Sequence, residues 1–499
     1  MKYNMHIMFL FFFFWMFLNT AIGFCVIPFL DHYISFPYLL VMFIINIGIA
    51  YDISLLFLAS LNHGGDPAKL DKLTTRPKVA LLYVTCNDAM PEALSCLNNQ
   101  SYTNSSIFIL DDSTDDKYQK IVRQYGYKTI HRGNRKGAKA GAINHWLALH
   151  GSEFEYFILL DHGGILESDF IEEILKYAEH PDNLNIAIFQ SLTQAWNTDI
   201  LFTKLLDAIK PLEMLINMRV FNQSDSMLSW GHNILCRIKP LIVIGGFEER
   251  FATEDFATNL RLIESGYQSR AVDIISYDHN SETVWFHTKR MIRWSRGNLE
   301  TAISKPWHLP LATKLRMFMG VHCFSECFFY ILGMIMVVWG YKVTWYQLNL
   351  SFFLASRWNQ QGSFIYPLSI IVIYIGYGLV LRPWWVTRLA NISIKEYWSY
   401  SILRMSIGYY AVFHITLGQI KSLMGSNASF IIYEKRWFKS TLWDIIEGMK
   451  VTVFIILIIA IGLIFNPVAR IIHIFWYIPL FISPFIIYYI QNKNVNDGL

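Results

Sequence analysis

The sequence predicts a bundle of membrane-spanning α-helices with an α/β domain inserted between its N-terminal and later helices. Three observations lead there. Of 499 residues, 54% are hydrophobic and 16% charged, against roughly 25% charge in ordinary soluble domains. The apolar excess sits in long runs near the two ends of the chain. Between them, from about Asn62 to Lys314, charges and turn signals return and short β-rich runs recur.

Ile7–Phe29 and Phe36–Leu61, within residues 1–61, each reach the roughly 20 apolar residues needed to cross a bilayer. The first has one early Lys2, too long an apolar run for a secretory signal and no clear cleavage site, so it reads as a retained helix. Residues 62–294 form the inserted domain, and 295–314 read as a basic helix lying in the membrane interface. Leu315–Trp339 and Phe364–Leu381 make a transmembrane hairpin within 315–397, and Val451–Ile464 and Ile471–Ile490 another within 451–499, before a short tail. Trp398–Ile420, in 398–450, is flanked by Arg382, Arg388 and Lys395 on one side and by Lys421, Lys435, Arg436, Lys439 and Lys450 on the other. Short basic loops stay in the cytoplasm, so both flanks share a side. With Arg404, His414 and Gln419 inside it, this run suits an interfacial helix. The expectation is about six crossings, a multi-pass protein of the plasma (inner) membrane in contact with lipid, and a domain facing the cytoplasm.

The 28 Gly and 15 Pro exclude a disordered or collagen-like chain. A net charge of +4 gives no basic face for nucleic acid. Six Cys without CxxC spacing read as reduced buried thiols, with neither a disulfide scaffold nor zinc.

Within the domain, Lys78–Thr85 and Ser106–Leu110 are short apolar β-rich runs, with a helix-compatible stretch, Ala89–Asn99, between them. Tyr156–Leu160 is a third. They end in Asn87 and Asp88, in Asp111, Asp112 and Ser113, and in Asp161, His162, Gly163 and Gly164. Strands alternating with helices predict a parallel α/β sheet, in which ligands bind beyond the carboxyl ends of the strands. Acidic residues after a strand also serve as turns and N-caps. Three in succession on one edge point to a site.

These motifs, in order from Val79 to Trp294, resemble those of membrane-integrated, processive family 2 glycosyltransferases, the group of cellulose, hyaluronan and poly-N-acetylglucosamine synthases. The resemblance implies a glycosyltransferase type A domain. It places Thr85 and Asp88 (VTCND) on the uridine, Asp112 (LDDST) on the uracil or ribose, and Lys139 (GNRKGAKAGAIN) near the diphosphate, with Lys136 also within its reach. It places Gln190 (IFQSLTQ) near the acceptor, and Trp230, His232 and Asn233 (SWGHN) at the acceptor end, where Gly-His-Asn resembles bacterial glucan glucosyltransferases. Asp255, in Thr253-Glu254-Asp255, matches the base that takes the acceptor hydroxyl proton, with Glu254 beside it as a catalytic residue. Arg293 and Trp294 match the end of Gln-x-x-Arg-Trp, with Arg290 in place of Gln. Cations there suit the leaving diphosphate, and Trp294 offers a sugar-stacking face. Phe430 and Ile432 in Gly425–Arg436 partly match the family's gating loop, with Tyr433 where Thr is expected.

The family's Asp-x-Asp is broken here, since the sequence reads Asp161-His162-Gly163. The resemblance implies Mg2+ or Mn2+ on the diphosphate. Either Asp161, phosphates and waters hold it, or His162 joins and favours manganese. The implied activity is inverting, processive transfer of a sugar, glucose from UDP-glucose, to a growing β-glycan of an extracellular or capsular polysaccharide, coupled to its translocation. Alternatives are non-processive transfer to a lipid and a catalytically reduced translocation or assembly subunit. The resemblance implies no particular oligomeric state.

Overall fold

A computed structural model of the chain describes residues 2–25, 32–340, 376–426, 428, 440–465 and 467–495. The inserted segment carries β1 (Val79–Thr85), β2 (Ser105–Asp111), β3 (Lys128–His131), β4 (Tyr156–Leu160), β5 (Ile165–Leu166), β6 (Ile186–Ala195), β7 (Ile234–Arg237) and β8 (Gln268–Asp278). They form one sheet of order β3-β2-β1-β4-β7-β6-β8-β5.

β1 is parallel to β2 and β4, and β2 to β3. Parallel neighbours require crossovers, supplied by the helices Pro91–Cys96, Asp116–Arg123 and Ala138–His150. β7 runs antiparallel to β4 and β6, so the sheet is mixed. Successive strand residues face opposite sides. In β1, Val79, Leu81 and Tyr83 accordingly enter one core with Phe170 and Ile174, while Ala80 and Leu82 enter the other with Ile143 and Trp146. Double-sided burial explains the continuous apolar text of β1 and β4. The chain runs from β1 outward to β2 and β3 and returns to β4 on the other side of β1. The order therefore reverses between β1 and β4, and a crevice opens beyond their carboxyl ends.

Outside the sheet, Lys2–Cys25 and His32–Leu61 are helices that pack together. Among the described residues, Phe36–Leu61 is the one helix long and apolar enough to cross a membrane. Two bent pairs, Leu311–His322 with Glu326–Met336 at 61° and Leu442–Gly448 with Lys450–Phe465 at 84°, raise the number to three if each is one span. Hydropathy predicted about six. The run Leu315–Trp339 is broken by the turn at 323–325, and Ile471–Ile490 lies in the helix Pro467–Asn492, which contains Pro479 and Pro484. Of Phe364–Leu381, residues 364–375 lie outside the described residues.

The helix Val284–Ile303 runs continuously through residue 294, where the domain was expected to end. Trp398–Ile420, expected in the interface, is the middle of the 30-residue helix Ile394–Leu423, started by a Ser393/Glu396 capping box. This helix packs on Val284–Ile303 and Pro467–Asn492, burying Leu403, Ile407, Tyr410 and Val412. Most of the expected gating loop, 427 and 429–436, lies outside the described residues.

Candidate active site

The sequence-predicted carboxylates gather at the crevice. β1 ends in a turn in which Asp88 Oδ1 accepts from Thr85 Oγ1 at 2.9 Å and from the Cys86 amide at 2.8 Å. This folds Asp88 back over the strand end. At the end of β2, Asp112 is gripped by Arg132, which donates from Nε to Oδ1 at 3.0 Å and from Nη2 to Oδ2. Arg132 also donates to the carbonyls of Lys136 and Ala138, each at 2.9 Å, fixing the loop ahead of the helix Ala138–His150. Sequence reading passed over Arg132. Its signal was a cation four residues before Lys136 in the same glycine-rich basic stretch; Lys136 itself is exposed.

Lys139 is the hub. Its Nζ lies 2.6 Å from Asp161 Oδ1 and 3.6 Å from Glu254 Oε1, and donates to the Gly231 carbonyl at 2.8 Å. Burial alone would raise the pKa of Asp161, but Lys139, helped by His232 and His162, holds it well below the usual carboxylate range. Burial alone would lower the pKa of Lys139, yet Asp161 and Glu254 hold it above its ordinary value. Lys139 and Asp161 are thus a charged pair at neutral pH.

Asp255 follows at the start of the helix Glu254–Glu264. It packs so closely over Gly231 that a Cβ there would lie 2.5 Å from that of Asp255. Burial and then Glu254 raise the pKa of Asp255 to about 7, against the lowering effects of Lys139, the Phe256 N–H and Arg293. A carboxylate tuned near neutrality suits a general base. The helix carrying Arg293 and Trp294 packs on the helix of Asp255. Arg290 lies 4.9 Å from the Trp294 ring centroid and donates to Ser281 Oγ at 3.3 Å. It also feels Asp278 and Asp161.

Two predicted residues brace the site from within. Gln190 is fully buried; its Oε1 accepts from the Trp230 amide at 2.7 Å and its Nε2 donates to the His232 carbonyl at 3.1 Å. Asn233, also fully buried, donates to Ser276 Oγ at 3.0 Å and the Tyr277 carbonyl at 2.9 Å. Together they hold the Trp230–His232 turn under Asp255. His232 Nδ1 lies 3.4 Å from Asp278 Oδ2, and burial lowers the His232 pKa despite that carboxylate and Asp161.

For the implied cation, His162 Nδ1 sits 3.4 Å from Asp88 Oδ2. Among the described residues, no group of three or more His, Cys, Asp or Glu could hold a metal alone. Magnesium bound to nucleotides takes one or two carboxylates and completes its shell with phosphates and water. The donor chemistry at Asp161 therefore fits a cation that arrives with a diphosphate.

Residues 82–240 match the sequence model of the family described as Glycosyl transferase family 2. That segment, about a third of the chain, is a family 2 glycosyltransferase domain. Similar proteins include a cellulose synthase catalytic subunit [UDP-forming] of Pseudomonas fluorescens, 28% identical over 198 residues, covering 38% of this chain and 26% of the relative. A glucans biosynthesis glucosyltransferase H of Bradyrhizobium diazoefficiens is 22% identical over 320 residues, covering 58% and 42%. The chain thus spans less than half the length of these relatives. Among solved structures, a mannosyltransferase of Pyrobaculum calidifontis in complex with GDP-Man and Mn2+ superposes with a TM-score of 0.46 at 16% identity, covering 77% of this chain and 99% of that one. Asp255, Arg293 and Trp294 lie beyond the family match.

Proposed function

We propose that the domain transfers glucose from UDP-glucose, with inversion, to the growing end of a β-glucan, and that the helices around it pass the product across the membrane. The observation that carries this reading is Asp255, raised to about 7 beside the Lys139–Asp161–Glu254 triad. The relatives, named for cellulose synthesis and glucan biosynthesis, support glucose.

Thr85, Asp88 and Asp112, at the ends of β1 and β2, hold the nucleoside, with Arg132 orienting Asp112. Lys139 turns from Asp161 toward the diphosphate, and Arg290 and Arg293 add positive charge at the leaving group. A divalent cation, when bound at Asp161, neutralises charge on the diphosphate. Asp255 takes the proton of the acceptor hydroxyl as that oxygen attacks the anomeric carbon from the face opposite UDP. Trp294 supports the acceptor sugar, its CH face resting on the indole. The cytoplasmic face of the inner membrane supplies the UDP-sugar.

Full-length protein in lipid, given labelled UDP-glucose, tests the reading. Polymer retained by a large-pore gel filter is expected. Product found wholly in the organic phase would replace it with transfer to a lipid, and no UDP release with any common UDP-sugar would leave an assembly subunit.

A further inference from the structure

The second motif carboxylate is missing at Gly163, yet the space it would occupy is not empty. A Cβ built on Gly163 would lie 2.6 Å from Asp278 Oδ1, 2.6 Å from His279 Cβ and 2.8 Å from the His279 amide. Real Cβ atoms do not approach that closely, so a side chain at 163 and the present Asp278 exclude each other. Strand register explains the juxtaposition across 115 residues. β5 pairs antiparallel with the end of β8, Ile165 opposite Tyr277 and Leu166 opposite Ser276. One step further along the ladder sets the Gly163–Gly164 turn against Asp278 and His279. Hydrogen bonds fix the turn, Gly164 N–H to the Asp161 carbonyl at 2.9 Å and Trp196 Nε1–H to the Gly163 carbonyl at 2.9 Å. Trp196 N–H also donates to the Asp278 carbonyl at 3.1 Å. The same tryptophan therefore joins both segments.

We propose that Asp278 supplies the second protein carboxylate for the divalent cation of the bound nucleotide, beside Asp161, in place of a side chain at position 163. The proposal rests on the nucleotide-sugar reading of the site. Asp278 is 8% exposed, its Oδ1 accepting from the His279 amide at 2.8 Å and its Oδ2 lying 3.4 Å from His232 Nδ1. Lys139 Nζ, 2.6 Å from Asp161 Oδ1, donates to the Gly231 carbonyl at 2.8 Å, and the next residue, His232, sets its Nδ1 3.4 Å from Asp278 Oδ2, so one short turn links the two carboxylates. A carboxylate so buried needs a compensating positive charge, and a metal ion at this turn would supply it. Buried Asn233 Oδ1 has no hydrogen-bond partner and lies 2.9 Å from where a Cβ on Gly164 would stand, adding a neutral oxygen at the same turn. Oxygen donors suit magnesium as well as manganese, so this arrangement does not require a His162 ligand.

The test needs no turnover. Full-length protein in nanodiscs is titrated with Mn2+ in the presence of UDP, free Mn2+ being read from its EPR signal, and UDP binding without metal is measured alongside. Asp278→Ala is expected to weaken Mn2+ binding by about tenfold or more and to leave metal-free UDP binding unchanged. Asp278→Asn, which keeps the size and the acceptor for the His279 amide but removes the charge, is expected to weaken Mn2+ binding as well. Wild-type Mn2+ affinity in Asp278→Ala, with affinity lost in Asp161→Ala, overturns the proposal. So does a loss in Asp278→Ala that Asp278→Asn does not share. Wild-type protein that binds neither UDP nor Mn2+ with UDP overturns instead the nucleotide reading beneath it.

Discussion

Replacing Asp255 by Asn should silence transfer and stabilise the domain at neutral pH. The carboxyl rises from its ordinary 3.8 to about 7, first through burial and then through Glu254. At 1.36 kcal/mol per pH unit, this corresponds to about 4 kcal/mol against the ionised form. The folded state holds the proton more tightly than the unfolded chain does. The favourable contribution is therefore fully present below about pH 4 and lost as pH rises through 7. Asn is neutral throughout, so the variant gains on the wild type as pH increases, by up to about 4 kcal/mol above pH 8. The assay is thermal unfolding of full-length protein in nanodiscs at pH 5 and pH 8, paired with glucose transfer from UDP-glucose. A variant that gains no more melting temperature at pH 8 than at pH 5 would refute the buried-carboxylate argument, and undiminished transfer would refute the base. In the wild type, kcat/KM should fall along an acid limb near pH 7, to about a tenth of its plateau one pH unit lower.

Three further outcomes follow from the geometry. Arg132→Ala frees Asp112 from its two hydrogen bonds and should weaken UDP binding by about tenfold or more, the worth of a charge-assisted pair, measurable by calorimetry. Lys139→Ala leaves Asp161 and Glu254 without their shared cation, and should lower both UDP affinity and thermal stability. Lys139→Arg restores the charge without the fit at Gly231 and should recover stability more than affinity. Trp294→Ala removes the ring beneath Arg290 and should shorten the product while UDP affinity changes by less than about threefold, read by gel filtration of the polymer and by calorimetry.

Much of the strand text was legible. β4 spans Tyr156–Leu160 as expected, and β1 and β2 differ from the expected runs by one residue at the ends. Strands buried on both faces carry unbroken apolar runs, and that pattern survives without knowledge of the partners. The short helix Pro91–Cys96 also falls inside the expected stretch. The membrane portion was less legible, since hydropathy measures apolar length and is blind to a turn. The 61° break after His322 lies in a run that reads as one span.

The site divides in the same way. The sequence by itself determined which chemical groups exist and where strands end, because an apolar strand closing on Asp88, Asp112 or Asp161 is a local pattern. Tertiary structure decided what those groups meet. Arg132 reaches Asp112 because β3 lies beside β2, and Gln190 faces the Trp230 backbone because β6 pairs with β7. Asp278 fills the space at Gly163 because β5 closes on β8. Burial and neighbouring charge, which set the pKa of Asp255, depend on packing between segments far apart in the chain, and no local pattern of residue types encodes that distance.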